Sequence, residues 1–316
     1  MSIFVALDAG GTRTQCWVAD ESRVLAEGSC GTVKLMNVGE DTATRRLQSL
    51  LETSAAEAGV RLDEVERTCM GLAGIGSESV RAWGEQTLGR LVGGEVLVCG
   101  DEEIALEAAF RGGPGVLVIA GTGSNVVGRC TDGTRVTAGG WGPVIGDEGS
   151  GNWIGVEAVR SALRARDRGQ ATTLLRAVQE FWGLKSLGEL IAKANQRSRA
   201  NFAELTTVVA QCAEEGDTVA GQVLERAGVE LAEQVLLVRA KMRAVGCVPS
   251  DASRVAFTGS VLEKIPQVWE AMNERLQAGA PGLRIAATPV NALEGALWKA
   301  RSVVGSELAA ADVRGD

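Results

Sequence analysis

Histidine and tyrosine are both absent from this sequence of 316 residues. Because a Ser–His–Asp triad uses an imidazole as its general base, the lack of histidine excludes that class of hydrolase. Any general base in the chain therefore has to be an Asp, Glu, Lys or Cys side chain.

The cysteines are scattered along the chain. Seven occur, and no two of them have the C-x-x-C spacing, or a similar one, that zinc sites and iron–sulfur clusters use. An odd, dispersed set of this kind predicts free thiols, most of them buried in strands, and no zinc or iron–sulfur site. The positions are Cys16, Cys30, Cys69, Cys99, Cys130, Cys212 and Cys247.

Long apolar runs are missing as well. No stretch reaches the length of a transmembrane helix, and Met1 leads directly into a strand-like segment rather than a signal peptide. The net charge of −8 argues against binding to nucleic acid or to anionic membranes. We therefore expect a cytoplasmic protein that contacts neither, and the length suggests two domains or one large one.

What the chain does contain is an unusual turn, present twice. IFVALDAGGTRTQCWVAD begins at Ile3, and GVLVIAGTGSNVVGRC begins at Gly115. In each, a hydrophobic run, a cluster of Gly and Thr and a second run predict a β-hairpin. Strands are expected at 3–7 and 15–19 in the first copy, with a third strand at 23–28.

The pattern that follows the first hairpin also follows the second. Helical and strand-like periodicities alternate after both copies, so we interpret the chain as an internal duplication of an α/β unit, with two lobes and a cleft between them. We expect an N-terminal lobe at 1–113 and a C-terminal lobe at 114–290, with a helical insertion at about 151–245 and a closing helix, 291–310, that packs back on the N-terminal lobe. The other predicted elements are helices at 41–58, 78–92, 102–110 and 217–245, strands at 67–74, 95–101 and 283–289, and a strand, turn and helix at 254–263.

Glycine-rich turns of this kind can bind phosphate. Without a Cβ, the backbone can approach a ligand closely and direct its N–H groups at an anion. Hydroxyl donors are available in both turns, from Thr12 and Thr14 in the first and from Thr122 and Ser124 in the second. Two such turns would hold a polyphosphate from both sides, although either turn alone can equally be no more than a tight hairpin. Neither the P-loop string nor a G-x-G-x-x-G that opens a helix is present.

The two turns resemble the phosphate motifs of the actin, hexokinase and Hsp70 superfamily, through LDAGGTRTQ and IAGTGSN. VAFTGSV (255–261) resembles its adenosine motif. Within that superfamily, GGWGPVIGDEGSGNWIG (139–155) resembles the N-acetylglucosamine kinases and the BadF/BadG/BcrA/BcrD-type ATPases. The resemblance implies a two-lobed actin-like ATPase fold (ribonuclease H-like), a duplicated βββαβαβα unit in the α/β class. It also implies ATP and Mg²⁺ as cofactors and transfer of the γ-phosphoryl group to a sugar hydroxyl, the 6-hydroxyl of N-acetylglucosamine or a related hexosamine.

The resemblance also implies roles for individual residues. Asp101 becomes the candidate general base, with a helix N-cap as its structural alternative. Asp8 becomes the Mg²⁺ residue, acting through water, with a turn aspartate as the alternative. Glu102 and Glu103 are expected to be solvated. The nucleotide-binding candidates are Gly10, Gly11, Thr12, Thr14, Gly121, Thr122, Gly123, Gly259 and Ser260. The sugar-binding candidates are Asn37, in a loop after the third strand, and Asn125, Trp141 and Asp147.

Several alternatives stay open at this point. Trp141 can be a core residue, and Asp147 can belong only to a capped helix start. The sugar can be glucosamine, N-acetylmuramic acid or glucose. The chain lacks the His and Cys cluster of the ROK sugar kinases and the Cys-bearing loop of the 2-hydroxyacyl-CoA dehydratase activators. An ATPase coupled to a partner protein and a non-catalytic regulator that binds ATP and sugar are the competing functions. The long helical insertion makes a homodimer plausible.

Overall fold

The computed structural model describes residues 2–196 and 201–302. The described chain separates into two compact units, the first made of residues 2–113 and 290–302 and the second of the residues from 114 to 289. Each unit contains one five-stranded mixed sheet. The strands are β1 (Ile3–Ala9), β2 (Arg13–Ala19), β3 (Val24–Gly31), β4 (Val65–Leu72), β5 (Glu95–Gly100), β6 (Gly115–Ala120), β7 (Ser124–Arg129), β8 (Arg135–Gly139), β9 (Arg254–Thr258) and β10 (Arg284–Ile285).

Helices connect the strands and cover the sheets. The helices are α1 (Leu35–Val38), α2 (Glu40–Ala58), α3 (Glu78–Leu91), α4 (Asp101–Phe110), α5 (Gly151–Asp167), α6 (Leu174–Phe181), α7 (Leu187–Ala194), α8 (Thr206–Glu214), α9 (Thr218–Ala244), α10 (Ser260–Lys264), α11 (Pro266–Gly279) and α12 (Ala292–Arg301). Among these described residues, no helix is both long enough and apolar enough to cross a bilayer.

The two sheets have the same strand order. The first runs β3-β2-β1-β4-β5, and the second, in the corresponding sense, runs β8-β7-β6-β9-β10. In each, the central strand is antiparallel to its hairpin partner and parallel to the strand on its other side. The shared topology confirms the α/β fold and the duplication expected from the sequence.

The first unit is closed by α12, the last helix described. Its buried side chains join those of β1 and α4 in one cluster, which includes Phe4, Ile104 and Leu297. The approach to α4 is close at Gly295, where a Cβ atom would overlap the carbonyl oxygen of Ile104. Residues 303–310 of the predicted closing helix lie outside the described residues.

The second unit is organised around α9. Asp217 caps its N-terminus by accepting hydrogen bonds from the N–H groups of Val219 and Ala220, at 2.9 and 3.0 Å. One face of the helix then packs on the sheet, where Gly128 of β7 leaves room for Val238 and Met242. This packing places the side of α9 that carries Gln234 next to β8 and the loop that follows it.

Three local expectations were wrong. Cys130 and Cys247 form a disulfide, with Cα atoms 5.6 Å apart, whereas free thiols were expected. Their 117-residue separation left no spacing signal in the sequence. The strand predicted at 283–289 is only two residues long, since just Arg284 and Ile285 pair with β9. Asn37 lies in the short helix α1 rather than in a loop.

Candidate functional site

The first Gly-Thr turn, Gly10–Thr12, connects β1 to β2. Thr32 fastens it from the side, because its hydroxyl donates to the Gly10 carbonyl at 2.8 Å and its N–H donates to the Thr12 carbonyl at 3.1 Å. The amide of Asn37 donates to the Gly11 carbonyl at 3.1 Å. A Cβ atom on Gly11 would meet no heavy atom within 4 Å. The turn is therefore held on its carbonyl side and has open space at Gly11.

The two threonines of this turn differ in exposure. Thr12 is exposed, whereas Thr14 is fully buried and its hydroxyl accepts a hydrogen bond from the N–H group of Val33 at 3.3 Å. Thr14 thus holds the chain behind the turn, and Thr12 is the hydroxyl that stands at its surface.

Two aspartates lie at the carboxyl end of the same sheet. Asp8 of β1 is level with Gly71 of β4, which is level with Cys99 of β5, and Asp101 begins α4 directly after β5. Ligand sites of open α/β sheets form at this edge, where the parallel strands end. The fold therefore brings together two carboxylates that are 93 positions apart in the chain, counted from residue 8 to residue 101.

Burial disfavours the charged form of both aspartates. It raises the pKa of Asp8 to about 6, and the positive charge of Arg13 opposes the shift. Burial is also the main cause of the raised pKa of Asp101, and the negative charge of Asp8 adds to it while Lys34 lowers it. An aspartate with a raised pKa is a better proton acceptor than a solvated one.

Asp101 is the first residue of α4 and not its N-cap. Gly100 occupies the cap position, and its N–H group donates to Glu103 at 3.2 Å. Asp101 Oδ1 accepts a hydrogen bond from the N–H group of Glu102 at 3.1 Å. The helix N-cap, which was the structural alternative for Asp101, is therefore formed by Gly100 and Glu103.

Glu102 departs from the sequence-based expectation. It is half-buried rather than solvated, and both of its carboxylate oxygens lie 2.6 Å from the point where a Gly100 side chain would begin. Its pKa is raised to about 7, mainly by burial and in addition by a hydrogen bond to Asp101 and the negative charge of Asp101. The only sequence signal was its position directly after Asp101.

Replacing Glu102 by glutamine is expected to raise the free energy of unfolding at about pH 8 relative to wild type. The folded-state pKa of about 7 lies above the ordinary value of 4.5, so the favourable contribution of the protonated side chain is complete below pH 4.5 and is lost as the pH rises through 7. A glutamine stays neutral at every pH. Urea unfolding at several pH values should show a stability difference that grows between about pH 5 and 8.

The control for this experiment is Glu85→Gln on α3. Glu85 is exposed, so its replacement should leave the pH dependence of the wild type unchanged. A Glu102→Gln curve parallel to that of the wild type across this range would contradict the raised pKa.

The second Gly-Thr turn, Gly121–Gly123, connects β6 to β7. The Gly121 N–H group donates to the Gly123 carbonyl at 2.9 Å. The first residues of α5 bind the turn from outside, because Gly151 donates to the Gly121 carbonyl at 2.8 Å and Asn152 to the Thr122 carbonyl at 3.2 Å. As in the first turn, the carbonyl groups are engaged by the protein, and Thr122 is exposed.

Asp147 lies directly against this second turn. One of its carboxylate oxygens, Oδ2, is 2.7 Å from the point where a Gly123 side chain would begin, and the other, Oδ1, accepts a hydrogen bond from Gly142 at 2.9 Å. Asp147 is buried and has a left-handed backbone, with φ of 60°, which non-glycine residues rarely adopt. Backbone strain of this kind is concentrated at functional sites.

Asn125 lies in the same part of the second unit. Its Oδ1 atom is buried and has no hydrogen-bond partner among the residues that the structure describes, and its side chain lies next to Gly140. A buried acceptor without a partner is costly, so a ligand donor at this position would be favourable. Trp141 has 72% of its surface exposed and is therefore not a core residue.

Gln234 was not foreseen from the sequence. Its side-chain amide donates to the Glu148 carbonyl at 3.3 Å, and the hydroxyl of Ser124 donates to the same carbonyl at 2.8 Å. These bonds hold the residue next to Asp147 from two sides. Gln234 lies 86 positions further along the chain, on α9, so only the packing of that helix reveals the contact.

Gly259 lies between β9 and α10, at the other side of β6. Its φ is 103°, and a Cβ atom there would overlap the backbone of Ala120, the last residue of β6. Its N–H group donates to Glu263 at 2.8 Å. Gly259 therefore lets the chain pass close to the start of the second turn, while Ser260 is exposed at the beginning of α10.

Comparison with known proteins identifies the family to which this chain belongs. Residues 5–298 match the BadF/BadG/BcrA/BcrD ATPase family. An N-acetylmuramic acid/N-acetylglucosamine kinase from Clostridium acetobutylicum is 31% identical over 96% of this chain and 99% of its own length. An N-acetyl-D-glucosamine kinase from Dictyostelium discoideum is 27% identical over 93% of this chain and 96% of its own.

A solved structure agrees with these sequence matches. It belongs to a candidate N-acetylglucosamine kinase from Chromobacterium violaceum, is 27% identical, and superimposes with a TM-score of 0.71 over 94% of this chain and 98% of its own. The profile match covers nearly the whole chain, and the chain therefore belongs to the BadF/BadG/BcrA/BcrD ATPase family.

Proposed function

We propose that this protein is an ATP-dependent kinase that transfers the γ-phosphoryl group of ATP to a hydroxyl group of N-acetylglucosamine or a closely related hexosamine. The observation that carries the proposal is that Asp101 lies beside Asp8 at the carboxyl end of the first sheet, in a chain related over more than nine-tenths of its length to hexosamine kinases. The 6-hydroxyl group is the acceptor that the resemblance implies.

The nucleotide-binding role is assigned to the two Gly-Thr turns and the turn at Gly259. In both Gly-Thr turns the carbonyl groups are engaged by the protein, and the exposed threonines, Thr12 and Thr122, can donate to phosphate oxygens. Such turns can direct backbone N–H groups at an anion. Gly259 and Ser260 are assigned to the adenosine end.

The carboxylate of Asp8 fits a divalent cation. It is half-buried, its pKa is raised because its charge is poorly solvated, and Asp101 adds a second negative charge to its surroundings. Mg²⁺ binds through one or two carboxylates together with water and phosphate oxygens, and when bound it neutralises phosphate charge. We assign Asp8 to this ion, through water.

Asp101 accepts the proton of the sugar hydroxyl group as the oxygen attacks the γ-phosphorus and the bond to the bridging oxygen of ADP breaks. In a loose transition state the hydroxyl group mainly needs to be oriented, and its proton is transferred late. A carboxylate can accept that proton. The raised pKa of Asp101 makes that transfer more favourable. With no histidine in the chain, no imidazole competes for this role.

Sugar recognition is assigned to Asn125, Asp147, Asn37 and Trp141. The buried, unpartnered oxygen of Asn125 suits a hydroxyl or amide donor, and the carboxylate of Asp147 is held rigidly by Gly142. The exposed ring of Trp141 offers an apolar face to a sugar ring. Buried polar groups that need a partner discriminate strongly against sugars that lack it.

The proposal is tested by measuring ADP release with Mg²⁺ and ATP against a panel of hexoses, hexosamines and N-acetylated sugars. We expect release that depends on the sugar and is highest with N-acetylglucosamine or N-acetylmuramic acid, with the product identified by mass spectrometry and NMR. Release without any sugar would instead indicate an ATPase coupled to a partner protein. Binding of ATP and sugar without turnover would indicate a regulator.

A further inference from the structure

A cavity of about 460 Å³ lies in the first unit between β3 and α2. β3 is the edge strand of its sheet, so the cavity lies at the edge of that sheet. Its volume falls in the range of small-molecule sites. None of the residues assigned above to ATP, Mg²⁺ or sugar lines it.

One row of side chains along α2 forms the outer wall. Arg45, Ser49, Thr53 and Glu57 are spaced four residues apart and therefore lie on one side of the helix. The row begins with a cation, continues with two hydroxyl groups and ends with a carboxylate. All four residues are exposed, so a ligand can reach them from solvent.

A second, deeper row consists of Arg46, Leu50 and Ser54. Ser54 is 1% exposed. In the described part of the chain its hydroxyl has no hydrogen-bond partner of normal geometry, although it lies near the thiol of Cys16. It stands over Gly28 of β3, where a Cβ atom would overlap the hydroxyl oxygen. The base of the cavity thus contains an unsatisfied polar group, which a hydrogen-bonding ligand or water would relieve.

The basic end of the cavity is connected to the first Gly-Thr turn. Arg46 Nη1 donates to the Thr32 carbonyl at 2.7 Å. Thr32 in turn donates to the carbonyl groups of Gly10 and Thr12. A group that changes the position of the Arg46 guanidinium therefore acts on the residue that fastens this turn.

We infer that the cavity is a second ligand site, which binds a sugar monophosphate. The phosphate is assigned to the end of the cavity that Arg45 and Arg46 line, because guanidinium groups bind phosphate with strong, charge-assisted hydrogen bonds. The sugar hydroxyl groups extend along Ser49 and Thr53 toward Glu57, which accepts from them. The carboxylates of Glu27 and Glu57 at the cavity wall repel additional phosphate groups, which favours a monophosphate over a nucleoside triphosphate.

The source of this ligand rests on the proposed function, since a phosphorylated hexosamine is the product of that reaction. A bound phosphate competes with the Thr32 carbonyl for Arg46, because a charge-assisted hydrogen bond is stronger than one to a neutral carbonyl. Release of Thr32 loosens the turn at Gly10 and weakens ATP binding. By linkage, ATP weakens binding of the sugar phosphate by the same factor, on the order of fivefold or more.

Equilibrium dialysis with radiolabelled N-acetylglucosamine 6-phosphate tests the site without relying on turnover. The assay omits ATP and contains excess N-acetylglucosamine, which competes for a catalytic sugar site but not for the cavity. Two variants are designed to remove the site. Arg45→Ala removes the positive charge that would bind the phosphate, and Ser49→Trp fills the cavity with a larger side chain. Their matched controls are Arg90→Ala, an exposed arginine of α3, and Gln48→Trp, an exposed neighbour on α2. Inorganic phosphate is the second probe.

We expect wild type and both controls to retain the label in the presence of excess sugar, and Arg45→Ala to bind it about tenfold more weakly or worse. Ser49→Trp should abolish this binding. The KM for ATP should rise with the sugar phosphate in wild type and not in Arg45→Ala. Equal retention by Arg45→Ala and Arg90→Ala, or none by the wild type, would overturn the inference. Equal affinity for inorganic phosphate would overturn the assigned sugar contacts.

The two proposals fail separately. If no sugar is phosphorylated, the kinase proposal fails, but loss of label in Arg45→Ala still identifies the cavity as a ligand site. If ADP release depends on sugar while the label is fully displaced by N-acetylglucosamine, the kinase proposal stands and the second site does not exist.

Discussion

Asp101→Asn is expected to lower kcat for sugar phosphorylation by about 10²–10⁴-fold, the usual contribution of a general base. Asparagine keeps the shape of the side chain but cannot accept the proton. Because the change removes an interaction with the reacting hydroxyl group, kcat and kcat/KM should fall together, while the KM values for sugar and ATP change little. Initial rates of ADP release at saturating ATP and sugar give the comparison directly.

The fold should survive this substitution. The pKa of Asp101 is raised mainly by burial, so a neutral side chain is at least as compatible with its surroundings as the carboxylate. Thermal unfolding should therefore show no loss of stability in Asp101→Asn. The matched control is Asp41→Asn, an exposed aspartate in the first turn of α2, which should retain wild-type kcat. A variant at position 101 that keeps more than about a tenth of wild-type kcat would rule out Asp101 as the general base.

Gly259→Ala is expected to have the largest effect on stability and to weaken ATP binding as well. An alanine at φ of 103° is strained, and its Cβ atom would overlap the backbone of Ala120, which cannot rotate away as a side chain can. The strain costs about 1–3 kcal/mol, and the overlap adds about 1–3 kcal/mol of overpacking. Because Ala120 ends the strand before the second Gly-Thr turn, the shift that relieves the overlap also displaces that turn.

Gly246→Ala separates these two causes. Gly246 has a similar φ of 90°, but a Cβ atom there would meet no heavy atom within 4 Å. Its replacement should cost only the strain and leave ATP affinity unchanged. Urea unfolding gives the free energies, and titration with a fluorescent ATP analogue gives the affinities. If both alanine variants lose the same stability and retain the same affinity, the close contact between Gly259 and Ala120 has no functional importance.

These two experiments address different parts of the proposal. Asp101 concerns the chemistry, and Gly259 concerns the positioning of the nucleotide. A loss of turnover with intact ATP binding in the first variant, together with a loss of ATP binding in the second, is the combination that a kinase with this division of roles would produce.

The sequence predicted those features that depend on interactions between residues close together in the chain. Strand β1 was predicted to within two positions of its end, and the hairpin that contains β6 was predicted as a whole, because runs of apolar residues indicate burial directly. Helix α2 was predicted almost to its ends, because apolar residues recur at helical spacing along it and lie buried in the structure, among them Leu47, Leu50, Leu51 and Ala55. The duplication was visible because the same turn chemistry recurs between similar strands.

Contacts between residues far apart in the chain were not predictable in the same way. The Cys130–Cys247 disulfide, the bond from Gln234 to the Glu148 carbonyl and the burial of Glu102 depend on how helices pack on sheets. A single sequence carries no periodic signal for such contacts. The short β10 shows the same limit, because pairing with β9 and not local propensity decides how far a strand extends.

The sequence by itself determined the fold class, the two Gly-Thr turns and the chemical type of the candidate base, since the absence of histidine leaves carboxylates as the natural choice. The tertiary structure decided the environment of those groups. It buries Asp101 and Asp8 enough to raise both pKa values, sets Asp147 against Gly123, and opens a polar cavity beside β3. The physical reason is that the sequence gives the type of each residue directly. The solvation of a side chain and its distance from other charged groups are set only when distant segments of the chain pack together.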